Sequence, residues 1–265
     1  SAANSLVGSQ AGDQVGYWAG GSGVIALSNG HYVVNSTFWD NGGVVDAGAV
    51  TWCNGSTGLA GAVSAANSLV GSQAGDQVGH SGVTALSNGH YVAGSAYWDK
   101  GGVADAGAAT WCNGHKGLAG VVSSTNSLVG SRADDRVGSR IAELSNGHYV
   151  VSSPFWDNGA AANAGAATWG NGAKGIAGPV PTANSLVGSQ TGDMVSSGTV
   201  AALTNGNYVV SSPSWNDGSC IAAGAVTWCN GSVKTTGKVT NINSLVGSTR
   251  HDRVGYGTRE LSNGH

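Results

Sequence analysis

Four times along the chain a tryptophan is followed at once by an acid or an amide: Trp39-Asp40-Asn41, Trp98-Asp99, Trp156-Asp157-Asn158 and Trp215-Asn216-Asp217. An indole face beside carboxylate and amide groups is the chemistry of carbohydrate recognition. The ring covers the apolar C–H side of a sugar while Asp and Asn bind its hydroxyls. Taken as ligand groups, these residues predict several equivalent shallow sites. The competing reading has the rings filling gaps between repeats, with Asp and Asn closing local turns.

Other recurring residues suggest less chemistry. Trp52, Trp111, Trp169 and Trp228 end segments of Ala, Gly, Val and Thr, and small neighbours predict that these rings supply core bulk. His31, His90, His148 and His265 share one repeat position, which Asn207 takes in the fourth unit. A position that accepts Asn carries no essential proton or metal role, so a surface hairpin is expected. Cys53, Cys112 and Cys229 share another position, filled once by Gly170, and equivalent sites in separate units stand too far apart for a disulfide. Cys220 and Cys229 are the one pair able to meet within a unit. Asp13, Asp76, Asp135, Asp193 and Asp252 recur between units. One carboxylate per loop, even with Asp134 beside Asp135, falls short of a tight calcium site, so turn stabilisation is expected, with weak calcium binding the most such loops could offer. Asn35, Asn54 and Asn230 fit the N-glycosylation pattern, which is expected by chance in a chain so rich in Asn, Ser and Gly.

Catalysis needs chemically different groups converging once. Here nearly every polar residue recurs by repetition, and the two glutamates, Glu143 and Glu260, occupy equivalent positions. The expectation is a protein that is not an enzyme and holds no cofactor. Charged residues make up only 9% of the chain, against roughly 25% in an average domain. A net charge of −3 with 11 basic residues excludes a nucleic-acid footprint, and no apolar run is long enough to insert as a transmembrane helix. The 46 glycines oppose helix, while 9 Trp and 7 Tyr oppose disorder. What remains is an all-β, glycine-punctuated fold.

The elements that position these residues are tandem. Asn-Ser-Leu-Val-Gly-Ser begins at 4, 67, 126, 184 and 243, in steps of 63, 59, 58 and 59 residues. The longer first step comes from extra residues around Tyr17–Gly20. Units of approximately 4–66, 67–125, 126–183 and 184–242 follow, with a partial unit at 243–265, all in one repeat domain. Within a unit, Val24–Leu27 and His31–Asn35 read as strands joined at Asn29-Gly30, and Ala47–Trp52 as a third. Asn54-Gly55 then turns into a fourth around Leu59–Ser64, leaving Asn67–Gly79 as a connection. Four short antiparallel strands per unit predict a β-propeller blade, with a β-solenoid as the alternative. The unfinished fifth unit predicts a window onto a longer array, and self-association through its sheet edge.

Gly75-Asp76-Gln77-Val78-Gly79, Val83–Leu86, Asn88-Gly89-His90-Tyr91-Val92 and Ala106-Gly107-Ala108 resemble the blade repeat of integrin-α-like, FG-GAP-type propellers. The variant with Asn-Ser-Leu-Val-Gly-Ser and Gly-Ala-Val-Thr-Trp is similar to repeats of large secreted bacterial surface proteins of the filamentous-haemagglutinin kind. The Asp-x-Asp-x-Asp-Gly calcium loop of FG-GAP blades is absent from this sequence. The resemblance implies an extracellular or cell-surface repeat protein, adhesin- or lectin-like, whose partners are glycans or cell-surface ligands. The alternative is a structural spacer or filament-forming module with no small ligand.

Overall fold

A period of about 59 residues in the sequence becomes a period of one sheet in the computed structural model, which describes residues 1–18 and 20–258. His265, Glu260 and the last Asn-Gly turn lie outside the described residues. In the first full sheet Val24–Ala26, Tyr32–Ser36, Ala49–Cys53 and Ser68–Val70 pair antiparallel in that order. A fifth strand, Gly120–Val121, comes from the following unit and lies parallel to Ser68–Val70. The second sheet repeats this with Gly82–Ala85, Tyr91–Ser95, Ala108–Cys112, Leu128–Val129 and Gly178–Pro179. The third does so with Arg140–Glu143, Tyr149–Ser153, Ala166–Gly170, Ser185–Val187 and Gly237–Lys238. Val200–Ala202, Tyr208–Ser212, Ala225–Cys229 and Leu245–Val246 make a fourth sheet, and Leu6–Val7 pairs with Gly61–Ala62 ahead of the first. The chain is therefore an all-β tandem repeat of small mixed sheets. No helix is long and apolar enough to cross a membrane among the described residues.

The core lies between sheets, and strand alternation explains how. Side chains of a strand point to opposite faces in turn. Val92 thus enters one cluster with Tyr149 and Val151 of the next sheet, while its neighbours Tyr91 and Ala93 enter another with Val33 and Val50 of the preceding one. The third cluster joins Val150 and Leu186 to Tyr208 and Val210 in the same way. Middle strands such as Tyr91–Ser95 are consequently buried along their whole length. Their polar residues pair within the sheet. Thr51 and Ser68 Oγ atoms stand 2.6 Å apart across the third and fourth strands, with equivalents at Thr110–Ser127 and Thr168–Ser185.

Two strand expectations are corrected. The fourth strand is Ser68–Val70, inside the stretch read as a connection, and residues around Leu59–Ser64 yield only Gly61–Ala62, which joins the preceding sheet. The cause is the turn at Asn54-Gly55. Gly58 N–H donates to Asn54 O at 2.7 Å while Asn54 Oδ1 accepts from Ser56 and Thr57 N–H, a helical-type turn that sends the chain away from its own sheet. Gly55 has no positive φ, so the left-handed geometry of a tight hairpin never forms there. The first hairpin is as expected, with a three-residue loop closed by Gly30 at φ 83°. The extra residues of the first unit form a small ribbon, Tyr17–Trp18 with Gly21–Ser22, whose Trp18 Nε1 donates to His80 O at 2.7 Å.

Candidate functional site

The Trp-Asp-Asn loops are corrected as ligand sites. Trp39, Trp98, Trp156 and Trp215 are only 2%, 4%, 6% and 4% exposed, so their faces are closed to a sugar. The adjoining polar groups are consumed by the loop itself. Asp40 Oδ1 accepts Asp46 N–H at 2.8 Å, and Asp99, Asp157 and Asn216 do the same for Asp105, Asn163 and Ala222. Asn41 and Asn158 donate from Nδ2 to Gly71 O and Gly188 O, while Asp217 pairs through its backbone with Cys220. Each of the four rings belongs to a core cluster.

The aspartates between units hold the same loops from the other side. Asp76 Oδ2 accepts Ser72 and Gln73 N–H at 2.7 and 2.8 Å, and its Oδ1 accepts Asp99 N–H at 2.9 Å. Burial pushes the Asp76 carboxyl above the usual carboxylate range against those bonds. Asp135 and Asp193 repeat the pattern, and Asp134 pairs with Arg136 at 2.9 Å. The lone pairs a calcium ion needs are already taken, and no group of three metal-ligating side chains occurs among the described residues. Asn35, in a glycosylation pattern, is fully buried and donates to Gly79 O.

The second tryptophan set packs against the core, as its small neighbours predict, and keeps part of each ring accessible. Trp52, Trp111 and Trp169 are half-buried at the margins of the three core clusters. Each of the three is locked to the next unit, with Nε1 donating to Gly114, Gly172 or Gly231 O at 2.8–2.9 Å. The turn carrying that carbonyl leans on the ring: a Cβ on Gly175 would stand 2.6 Å from Trp111 Cβ. Between the two turns a groove of about 440 Å³ opens, lined by Trp111, Asn113, Lys116, Leu118, Lys174 and Ile176 among others. A smaller groove of about 220 Å³ repeats beside Trp52 and shares Lys116 and Leu118. The sequence signal for it was the pair of lysines in equivalent turns, at 116 and 174, which a search for acids and amides passes over.

The histidines prove to be acceptors. Nδ1 of His31, His90 and His148 accepts the N–H of Gly55, Gly114 and Gly172, each at 3.1 Å, and Asn207 Oδ1 does the same for Gly231 at 3.2 Å. An unprotonated Nδ1 leaves the proton on Nε2, so neither nitrogen is free to bind a metal in the neutral ring. The rings pack edge-on against Trp52, Trp111 and Trp169 at 4.8–4.9 Å.

A family model describes this chain as a repeat of unknown function, DUF5650, matching residues 1–17, 26–80, 85–139, 143–197 and 202–256. The chain belongs to the DUF5650 repeats. No curated protein matches it. The match fixes the tandem repeat and lends no support to an FG-GAP or integrin-like identity.

Read on this DUF5650 repeat, the cysteines are structural. All four are free thiols, and Cys220 does not pair with Cys229. Cys53, Cys112 and Cys229 are buried, and burial pushes the Cys112 thiol up to about 12 and Cys229 up to about 11. Each lies opposite a tyrosine of its own sheet, buried at Cys112–Tyr91 and Cys229–Tyr208 and half-buried at Cys53–Tyr32. Where the third unit has Gly170, the Tyr149 ring fills the vacated space, so a Cβ there would sit 2.2 Å from Tyr149 Cζ.

Proposed function

We propose that this chain is a non-enzymatic structural spacer, an open array of DUF5650 units belonging to a large extracellular or cell-surface protein. The observation that carries the reading is that units are bonded to one another across their whole width. At one edge Ser28 Oγ donates to Ser87 O at 3.0 Å, and Thr199 and Thr258 Oγ1 stand 2.9 Å apart. Further in, Asn29 Nδ2 and Trp52 Nε1 both donate to Gly114 O, at 2.9 and 2.8 Å, and at the far edge Gly120–Val121 completes the preceding sheet. Blades of a propeller splay outward from their axis, whereas contacts equally tight at both sides favour near-parallel stacking. No strand of the fourth sheet pairs with the first among the described residues. Low charge and polar loops whose groups are satisfied internally suit a rod that keeps distance rather than one that reacts. The surface location rests on the likeness to secreted bacterial repeats.

Small-angle scattering on chains with increasing unit number tests the array. Maximum dimension should grow by a constant increment per unit. A dimension that levels off, with a hollow ring in negative-stain images, would establish the propeller instead.

A further inference from the structure

We infer that the groove between successive units at Trp111 is a binding site for an acidic oligosaccharide, with Lys116 and Lys174 as its carboxylate contacts. The floor is a half-buried indole with Leu118 and Ile176, also half-buried, lining the same groove, an apolar surface for the C–H face of a sugar. The indole is held in place by its own bond to Gly172 O, so no ring motion is lost on binding. The groove is open on one side, which lets a polymer enter along its length.

Charge then selects the ligand. Lys116 comes from the turn of the unit that supplies Trp111, and Lys174 from the corresponding turn of the next, so each of the two units brings one lysine to the groove. Neither side chain makes an ion pair or hydrogen bond among the described residues, and no acid lines the groove. Two unpaired cations around an aromatic floor, in a chain of net charge −3, form a local positive site on a negative molecule. A uronate residue matches both parts, its C–H face on the indole and its carboxylate at a lysine. Lys116 also lines the groove at Trp52, so one cation serves two successive sites and a polymer with regularly spaced carboxylates can occupy both. A nucleic-acid strand is the competing polyanion, and a net charge of −3 with only 11 basic residues disfavours it.

Titration calorimetry of the whole chain with tetragalacturonate at low salt, with maltotetraose and a dT tetramer alongside, tests this. Saturation-transfer NMR reports whether sugar C–H protons lie against an indole. The expected result is binding in the high-micromolar to millimolar range for the acidic sugar only. It should be weakened roughly tenfold by K116Q/K174Q, and lost in high salt. The K100Q/K238Q variant removes the same charge away from the groove and should bind like the parent, and all melting temperatures should agree. No binding of tetragalacturonate at 10 mM overturns the proposal. So does equal affinity for maltotetraose, tighter binding of the dT tetramer, or an equal loss in the two double variants.

Discussion

A single acceptor atom explains the position shared by His31, His90, His148 and Asn207, and at His90 and His148 it makes stability respond to acid. Protonation there would place a hydrogen on Nδ1, facing the Gly114 or Gly172 N–H that it now accepts. Burial lowers His90 and His148 below the usual 6.5, with His115 adding to the effect at His90. Below pH 6.5 the unfolded chain therefore binds more protons than the folded one, and stability rises with pH through that window. Thermal melts should lose several degrees between pH 7.5 and 5. The double change His90→Asn, His148→Asn should keep the neutral-pH stability within about 1 kcal/mol of the parent and flatten much of the slope. His80, also lowered by burial, adds slope of the same sign, while Asp76 and Asp105, raised by burial, oppose it at the acid end. The thiols give a second outcome at this scale. Native iodoacetamide labelling at pH 8 followed by mass spectrometry should modify Cys220 and spare Cys53, Cys112 and Cys229, since only a thiolate that reaches solvent reacts. The sequence betrayed the tolerated Asn207 but not the reason for it, because an acceptor role appears only when the partner N–H is in place.

Strands were legible where period and composition agreed, and illegible where a turn was decided by packing. Tyr32–Ser36 and Ala49–Cys53 fall within a residue or two of their expected places because β-branched and small residues buried on both faces make continuous runs. The fourth strand was missed because Asn-Gly at 54–55 carries the signature of a hairpin and performs another task. Its glycine is required by a neighbour: a Cβ on Gly114, the equivalent residue, would stand 1.6 Å from Gly89 O. Gly114→Ala should destabilise by about 3 kcal/mol, the upper end for overpacking against a fixed backbone, in urea unfolding. Gly102→Ala, where a Cβ meets nothing within 4 Å and φ is not positive, should be neutral or stabilise by about 0.5 kcal/mol. A sequence alone contains the need for glycine but not whether turn or neighbour imposes it.

Across the molecule, each unit leans on the next among the described residues. Trp111 is braced by Gly172 and Gly175 of the following unit. Trp111→Ala should cost about 3 kcal/mol, as thermal or urea unfolding will measure, because it removes that brace together with the packed ring. The candidate site was misplaced at this scale too. Trp98 and Trp111 each sit beside polar residues in the sequence, and only the stacking of sheets decides which ring is sealed and which borders a groove. Repeat length, all-β class and the phase of the strands follow from local composition. The inside and outside of an array follow from contacts roughly one full repeat away, where periodicity carries no information about which face is covered.

The strand that each unit returns to its predecessor sets the order in which the protein can finish folding during synthesis. The sheet begun at Val24 is complete only when Gly120–Val121 has left the ribosome, some fifty residues after Ser68–Val70. At about 5–20 residues per second that is a delay of several seconds. A growing chain therefore exposes, at its newest sheet, the edge of a fourth strand that its older sheets have already paired. Neighbouring nascent chains on one messenger expose the same edge with nearly the same sequence, and slow translation through these repeats lengthens the time in which two such edges can pair wrongly.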